Sequence, residues 1–222
     1  MSRKTARVLQ ALLIVVVVAV VIYHSRPRGG PGPAPNPALE TYNGCGMEGD
    51  ARSASVMELN RLKNRYTAPQ PAEINTAITM AALVAPGDDT NRWRDDEAAE
   101  ITGYVWDVKP GGIETVNCDA REIADRDTHI ELAPNPERPE QKVIVEVTPR
   151  LRAIMAQQGV NWSTPALRDT LRGQWVRVRG WMLFDEQHKD ESENTAPGRP
   201  RNWRWTAWEV HPITSIELVP RP

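Results

Sequence analysis

Gln174–Phe184 reads QWVRVRGWMLF. Val176, Val178, Met182 and Phe184 share one face of an extended chain, and Trp175, Arg177, Arg179 and Trp181 share the other, which is the alternation of a half-buried strand. Working toward the amino terminus, residues 150–172 contain a helical stretch broken near Gly159–Pro165, with Pro149 suited to its first turn. Before that, KVIVEVT (Lys142–Thr148) and DTHIEL (Asp127–Leu132) read as strands. ITGYVWDVK (Ile101–Lys109) is β-branched and aromatic, and the turn Pro110–Gly112 leads it into Ile113–Cys118 as a hairpin. The last strand region is Trp203–Val219, bent at Pro212. Several strands, one helix before the penultimate strand and a glycine within VRVRG predict a mainly β fold with α elements, a five-stranded OB-like Greek-key barrel. Other small barrels or an α+β sheet share this order of elements.

The barrel is assigned to residues 99–222 and an amino-terminal extension to residues 41–98. Within the extension, SASVMELNRLKNR (residues 53–65) reads as a short helix capped by Ser53 or Ser55, with Val56, Leu59 and Leu62 on one apolar stripe. EINTAITMAALV (residues 73–84) suits helix or strand, and an acidic loop with Pro86, Gly87, Asp88 and Asp89 follows.

A chain of 222 residues holds one domain of ordinary size plus flanks. Its net charge of -2 is unevenly spread. Arg3, Lys4, Arg7, Arg26 and Arg28 precede residue 31 with no acid among them, so the rest carries 22 basic against 29 acidic residues. An acidic body is a poor non-specific nucleic-acid binder, since neutralising phosphates supplies such binding. Residues 8–23 are apolar apart from Gln10, no small-residue cleavage site follows, and Arg26 and Arg28 close the run. This predicts a signal-anchor transmembrane helix over residues 1–24, single-pass in a bacterial cytoplasmic membrane, with the amino terminus inside and the rest extracytoplasmic, in the periplasm; a cleaved signal peptide is the alternative. Residues 25–40, rich in Pro and Gly, read as a linker. Outside the cytoplasm the chain's 2 cysteines, Cys45 and Cys118, invite a disulfide, with two buried thiols as the alternative.

The pieces EGD (Glu48–Asp50), LNRLKNR (Leu59–Arg65), GYVWDVKPGG (Gly103–Gly112), DTHIEL (Asp127–Leu132), VIVEVTPR (Val143–Arg150), VRVRGWMLFD (Val176–Asp185) and WEVHPITSIE (Trp208–Glu217) resemble a family of uncharacterised bacterial exported proteins. The resemblance implies a shared fold over residues 45–219 and no particular activity.

Positions two apart on a strand share a face, so Asp127, His129 and Glu131 point together, as do Glu209 and His211. Imidazole with carboxylate is a ligand set for zinc and other divalent ions, so Asp127, His129, Glu209 and His211 are candidate metal ligands, with a solvated barrel face as the plain alternative. Glu146, inside VIVEVT, is a candidate acid or base if buried. Trp175, Arg177, Arg179 and Trp181, extended by Trp203 and Arg204, form an aromatic and cationic pattern that can hold an oligosaccharide, an oligonucleotide or a protein ligand, or else packs under the extension as cation-π contacts. Two functions follow: a membrane-anchored extracytoplasmic OB-like binding or assembly module, or a metal-dependent, nuclease-like hydrolase using the His and carboxylate face. The R-x-x-G-I-D-A-P-E type of segment typical of thermonuclease-like enzymes is missing.

Overall fold

The computed structural model describes residues 37–222. Five strands close into a barrel: β1 (Ala98–Pro110), β2 (Thr128–Ala133), β3 (Val143–Val147), β4 (Trp175–Phe184) and β5 (Trp208–Leu218). Around the barrel the order is β1-β2-β3-β5-β4, with β3 and β5 parallel and every other pair antiparallel. That is the OB-type barrel with its helical insertion before the penultimate strand. The insertion comprises two helices, α2 (Pro149–Gln157) and α3 (Thr164–Leu171). Thr148 caps α2, its hydroxyl accepting from the Leu151 amide, and Pro149 occupies the first turn, where a missing N–H costs nothing.

Alternation decides what fills the barrel. Ile130 and Leu132 of β2, Val143, Val145 and Val147 of β3, Val176 and Val178 of β4 and Val210 of β5 point inward and join one core, which Leu151 of α2 and Leu167 and Leu171 of α3 extend. Full burial of each such side chain contributes roughly 1.5–3 kcal/mol. Gly180 sits where β4 changes register against β5. A Cβ there would lie 2.2 Å from the Pro212 carbonyl oxygen, so only glycine lets the two backbones approach.

The expected hairpin partner for β1 does not form. Residues 115–117 make a 3-10 turn instead, Cys118 adopts a left-handed backbone, and its sulfur is bonded to Cys45. This tether holds the segment against the extension, and β1 pairs with β2.

The extension packs on the barrel in two ways: Ile78, Met80 and Leu83 join the apolar core, whereas its first helix packs through polar residues. Ser53 caps α1 (Ala54–Lys63), yet the residues it buries are Asn60 and Lys63, while Val56, Leu59 and Leu62 are only half-buried. Asn60 donates to the Glu48 carbonyl, and Asn64, just past the helix, donates to the carbonyls of Met47 and Val116. Buried Arg150 donates to the carbonyls of Leu39, Cys45 and Gly46. Pro37–Glu40 forms a helical turn with Leu39 buried, so the folded unit begins inside the stretch read as linker.

The membrane expectation is corrected. Among the described residues no helix is long and apolar enough to cross a membrane. Residues 8–23, which carried the signal-anchor reading, lie outside the described residues. The transmembrane helix, the single-pass topology with its amino terminus inside, the membrane as partner and the periplasmic placement are therefore withdrawn. The reading as a membrane-anchored binding or assembly module falls with them.

Candidate metal centre

The strands β2, β3 and β5 lie side by side, and their outward residues form a row. His129 is paired in register with Glu146, and Ile144 and Val145 with Glu209 and Val210, so Glu146 and His211 come next in the same step. Because Val145, Val147 and Val210 point inward, Glu146, Glu209 and His211 must point out. Asp127, one residue before β2, reaches the same place. An outward row on a barrel would ordinarily be wet, but Asp127, Glu146, Glu209 and His211 are all buried.

Asp127, Glu146 and His211 each offer a ligand atom within 4.8 Å of the others. The buried Asp/Glu/His triad is capable of coordinating a divalent metal ion. His211 Nε2 lies 3.8 Å from Asp127 Oδ2, and His211 Nδ1 lies 3.8 Å from Glu146 Oε2 and 3.3 Å from Glu209 Oε2. His129 Nδ1 is 3.3 Å from Glu146 Oε1. Both Asp127 carboxylate oxygens, Glu146 Oε2, His211 Nε2 and His129 Nε2 are buried without a hydrogen-bond partner. Buried polar atoms are nearly always paired, so the orphans of Asp127, Glu146 and His211, whose ligand atoms lie within 4.8 Å of one another, point to something that binds there.

The charges say the same. Four buried carboxylates, of Asp127, Glu146, Asp185 and Glu209, surround two buried permanent cations, Lys63 and Arg204. Lys63 is also bonded to Glu114, at 2.7 Å. Burial pushes the Asp127 carboxyl up to about 7, Glu146 and Glu114 adding to the effect while His211 and Lys63 oppose it. Burial also acts against Glu146, but the His211 and His129 imidazoles outweigh it and hold that carboxyl down to about 2. His211 goes up despite its burial, because Glu146, Glu209 and Asp127 favour its charged form. Desolvation and the neighbouring Asp185 raise Glu209.

Beside the triad lies a cleft of about 460 Å³ whose walls include Lys63, Lys109, Glu146, His188, Trp203 and Arg204. Trp203 is its aromatic surface: the His129 and His188 rings lie 5.5 and 6.0 Å from its own, with Lys109 Nζ 5.7 Å away. Arg204, fully buried, donates to Glu209 and Asp185 and holds both carboxylates in place.

The residues read from sequence distribute as follows. Asp127 and His211 belong to the triad, and His129 lies against Glu146 at its edge. Both oxygens of Glu209 are engaged, one by Arg204 and one facing His211, so it orients the imidazole. Glu146, expected as acid or base, stands among the ligand atoms. Glu131 lies apart, bonded to Lys109 and Lys142. Cys45 and Cys118 are joined in the disulfide. On β4 the aromatic and cationic pattern is engaged by neighbours: Trp175 meets Tyr104 edge to face, Arg177 pairs with Glu217, Arg179 with Glu100, and Trp181 donates to the Thr67 carbonyl under the Arg65 guanidinium. Trp203 and Arg204 reach the cleft from the loop between β4 and β5. Asp185, Lys63 and His188 escaped the sequence reading; the rule that a residue just past a barrel strand sits at a loop-lined mouth would have found Asp185.

No family model matches the chain, and no curated protein is similar to it. The resemblance to a family of bacterial exported proteins is thereby corrected, and its physical basis is plain: five of the seven pieces quoted for it lie wholly or mainly on α1, β1, β2, β4 and β5 and a sixth spans β3 and the start of α2, so they share what any barrel of this order requires.

Proposed function

We propose that this protein is a metal-dependent hydrolase in which Asp127, Glu146 and His211 hold the ion and the adjoining cleft takes an anionic ester. The convergence of unpaired, buried carboxylate and imidazole atoms supports this reading above all. One imidazole and two carboxylates are an oxygen and nitrogen set suited to zinc, and three protein ligands leave a position for water. A bound divalent ion supplies a water acidic enough to attack at neutral pH. The protein's own residues do the rest. Glu209 accepts from His211 Nδ1 and so turns Nε2 toward Asp127, the second-layer carboxylate that metal-binding histidines usually have. Lys63, Lys109 and Arg204 line the cleft but are already paired, with Glu114, with Glu131, and with Asp185 and Glu209, so the bound ion would supply the positive charge that draws an anionic ester.

The test is metal analysis of the purified chain, followed by zinc titration and hydrolysis of bis(p-nitrophenyl) phosphate. One equivalent of ion, chelator-sensitive turnover and loss of both in His211→Gln are expected. A parent chain that takes up no stoichiometric divalent ion would end the proposal.

A further inference from the structure

The cleft carries a second pair of groups that the ion does not use. His188 Nδ1 is 2.6 Å from Asp185 Oδ2, which fixes the ring with its proton on Nδ1 and leaves Nε2 as the basic nitrogen. Among the described residues Nε2 has no partner. The two side chains differ sharply in exposure, 39% for His188 and 3% for Asp185, so the carboxylate is anchored inside while the imidazole faces the cleft. Arg204 Nη2 reaches the same Asp185 oxygen at 3.1 Å. Trp203, edge-on to the His188 ring, stops it from swinging away.

We propose that His188, oriented by Asp185, is the general base and then the general acid of this hydrolysis. The inference rests on the hydrolase reading and adds to it the group that moves the proton. His188 Nε2 takes a proton from the attacking water as the water oxygen bonds to the substrate phosphorus. The same proton then passes to the departing ester oxygen as its bond to phosphorus breaks. One water is consumed, and the imidazole returns to its neutral form.

The surroundings suit this cycle. The hydrogen bond to Asp185 raises the His188 pKa, desolvation opposing it, with Glu209 adding to the rise and Arg204 resisting it. Asp185 itself stays ionised: burial acts against its charge, but the contacts with His188, Arg204 and Lys63 hold it well below the usual carboxylate range. Across the cleft stand Lys63, Lys109, Glu114 and Glu146. A histidine kept only for packing would have no reason to present an unpaired nitrogen to a cleft while a buried arginine braces its carboxylate.

The experiment uses the zinc-loaded chain and bis(p-nitrophenyl) phosphate. With zinc kept saturating at every pH, His188→Gln should keep one equivalent of zinc and the parent's melting temperature, lose about 100- to 10,000-fold in kcat with little change in KM, and lose the acid limb that His188 contributes to the pH profile. Asp185→Asn, which keeps the imidazole but removes its anchor, should lower kcat and shift that limb to lower pH; should it fail to fold, His188→Gln alone decides. Turnover in His188→Gln within about threefold of the parent, with the limb intact, overturns the proposal and leaves the hydrolase reading standing. A parent that binds zinc and turns over nothing overturns both.

Discussion

Asp127→Asn offers the sharpest examination of the triad, because it should make the metal-free protein more stable. Asp127 is fully buried with neither oxygen hydrogen-bonded, and its carboxyl moves from 3.8 to about 7 on folding. A raised acid favours folding while it stays protonated, and that contribution is lost as pH rises through its folded pKa. The loss begins near 3.8, where the unfolded chain ionises, and is complete above about 7. At about 1.4 kcal/mol per pKa unit, the ionised carboxylate at pH 8 costs the folded chain about 4 kcal/mol. Asparagine has the same shape and never ionises. In EDTA at pH 8, Asp127→Asn should therefore melt about 8–16 °C above the parent, and at pH 5 the gain should shrink to less than half. Zinc should close the gap: an ion at a thousand times its Kd stabilises the parent by about 4 kcal/mol and leaves the variant unmoved, so the two then melt at about the same temperature. Thermal melts by circular dichroism at both pH values, with and without zinc, decide the matter. If the variant melts below the parent in EDTA at pH 8, or if its gain is equal at pH 5 and 8, the cluster is not under electrostatic strain and the reasoning fails.

Other outcomes follow from the same structure. Zinc must displace the protons held by Asp127 and His211, so lowering the pH from 8 to 6 should weaken binding at least about tenfold by calorimetry, whereas a pH-independent Kd would exclude Asp127 as a ligand. Cys118→Ser releases a bridge across a sequence separation of 73 and should cost about 4 kcal/mol in urea unfolding. A loss under about 1 kcal/mol there would mean the extension is held by its hydrogen bonds alone. Gly180→Ala forces a Cβ toward the Pro212 carbonyl and should cost about 3 kcal/mol or leave the protein insoluble. An unchanged denaturation midpoint would contradict the close approach of β4 and β5.

The barrel was legible because its signals are local. The valines of KVIVEVT and QWVRVRGWMLF carry their period in the chain itself, and Pro149 and Gly159 punctuate the helical insertion between them. Where a second constraint competes, the local signal misleads. Ile113–Cys118 has strand-forming residues, yet the tether to Cys45 and the left-handed Cys118 turn it into a 3-10 segment. On α1 the apolar stripe suggested the buried side, but the surface it packs on is the polar outer row of the barrel. Asn60, Lys63 and Asn64 therefore go down, and Val56, Leu59 and Leu62 are left half-exposed. A hydrophobic period assumes an apolar partner, and here the partner is a layer of carboxylates and carbonyls.

That inversion also explains why the candidate metal site was only half visible. Spacing alone put Asp127 beside His129 and Glu209 beside His211, but whether those pairs meet depends on β3 and β5 running parallel, which no single strand's sequence reveals. Whether the row is wet depends on the extension and on the loop between β4 and β5. Once covered, the row has an energetic problem that folding alone gives no reason to keep. Outward positions on β3 and β5 could carry Thr or Val, which are at home in strands and need no counter-charge. Instead they carry Glu146, Glu209 and His211, next to an Asp127 pushed up to about 7. A fold selected only for stability would exchange such groups for apolar ones, which at buried ionic sites is often neutral or favourable by about 1–4 kcal/mol. The presence together of Asp127, Glu146 and His211, with ligand atoms facing one another and orphaned oxygens and nitrogen among them, fits the proposed ion, whose charge would remove the excess and whose coordination would satisfy the orphans.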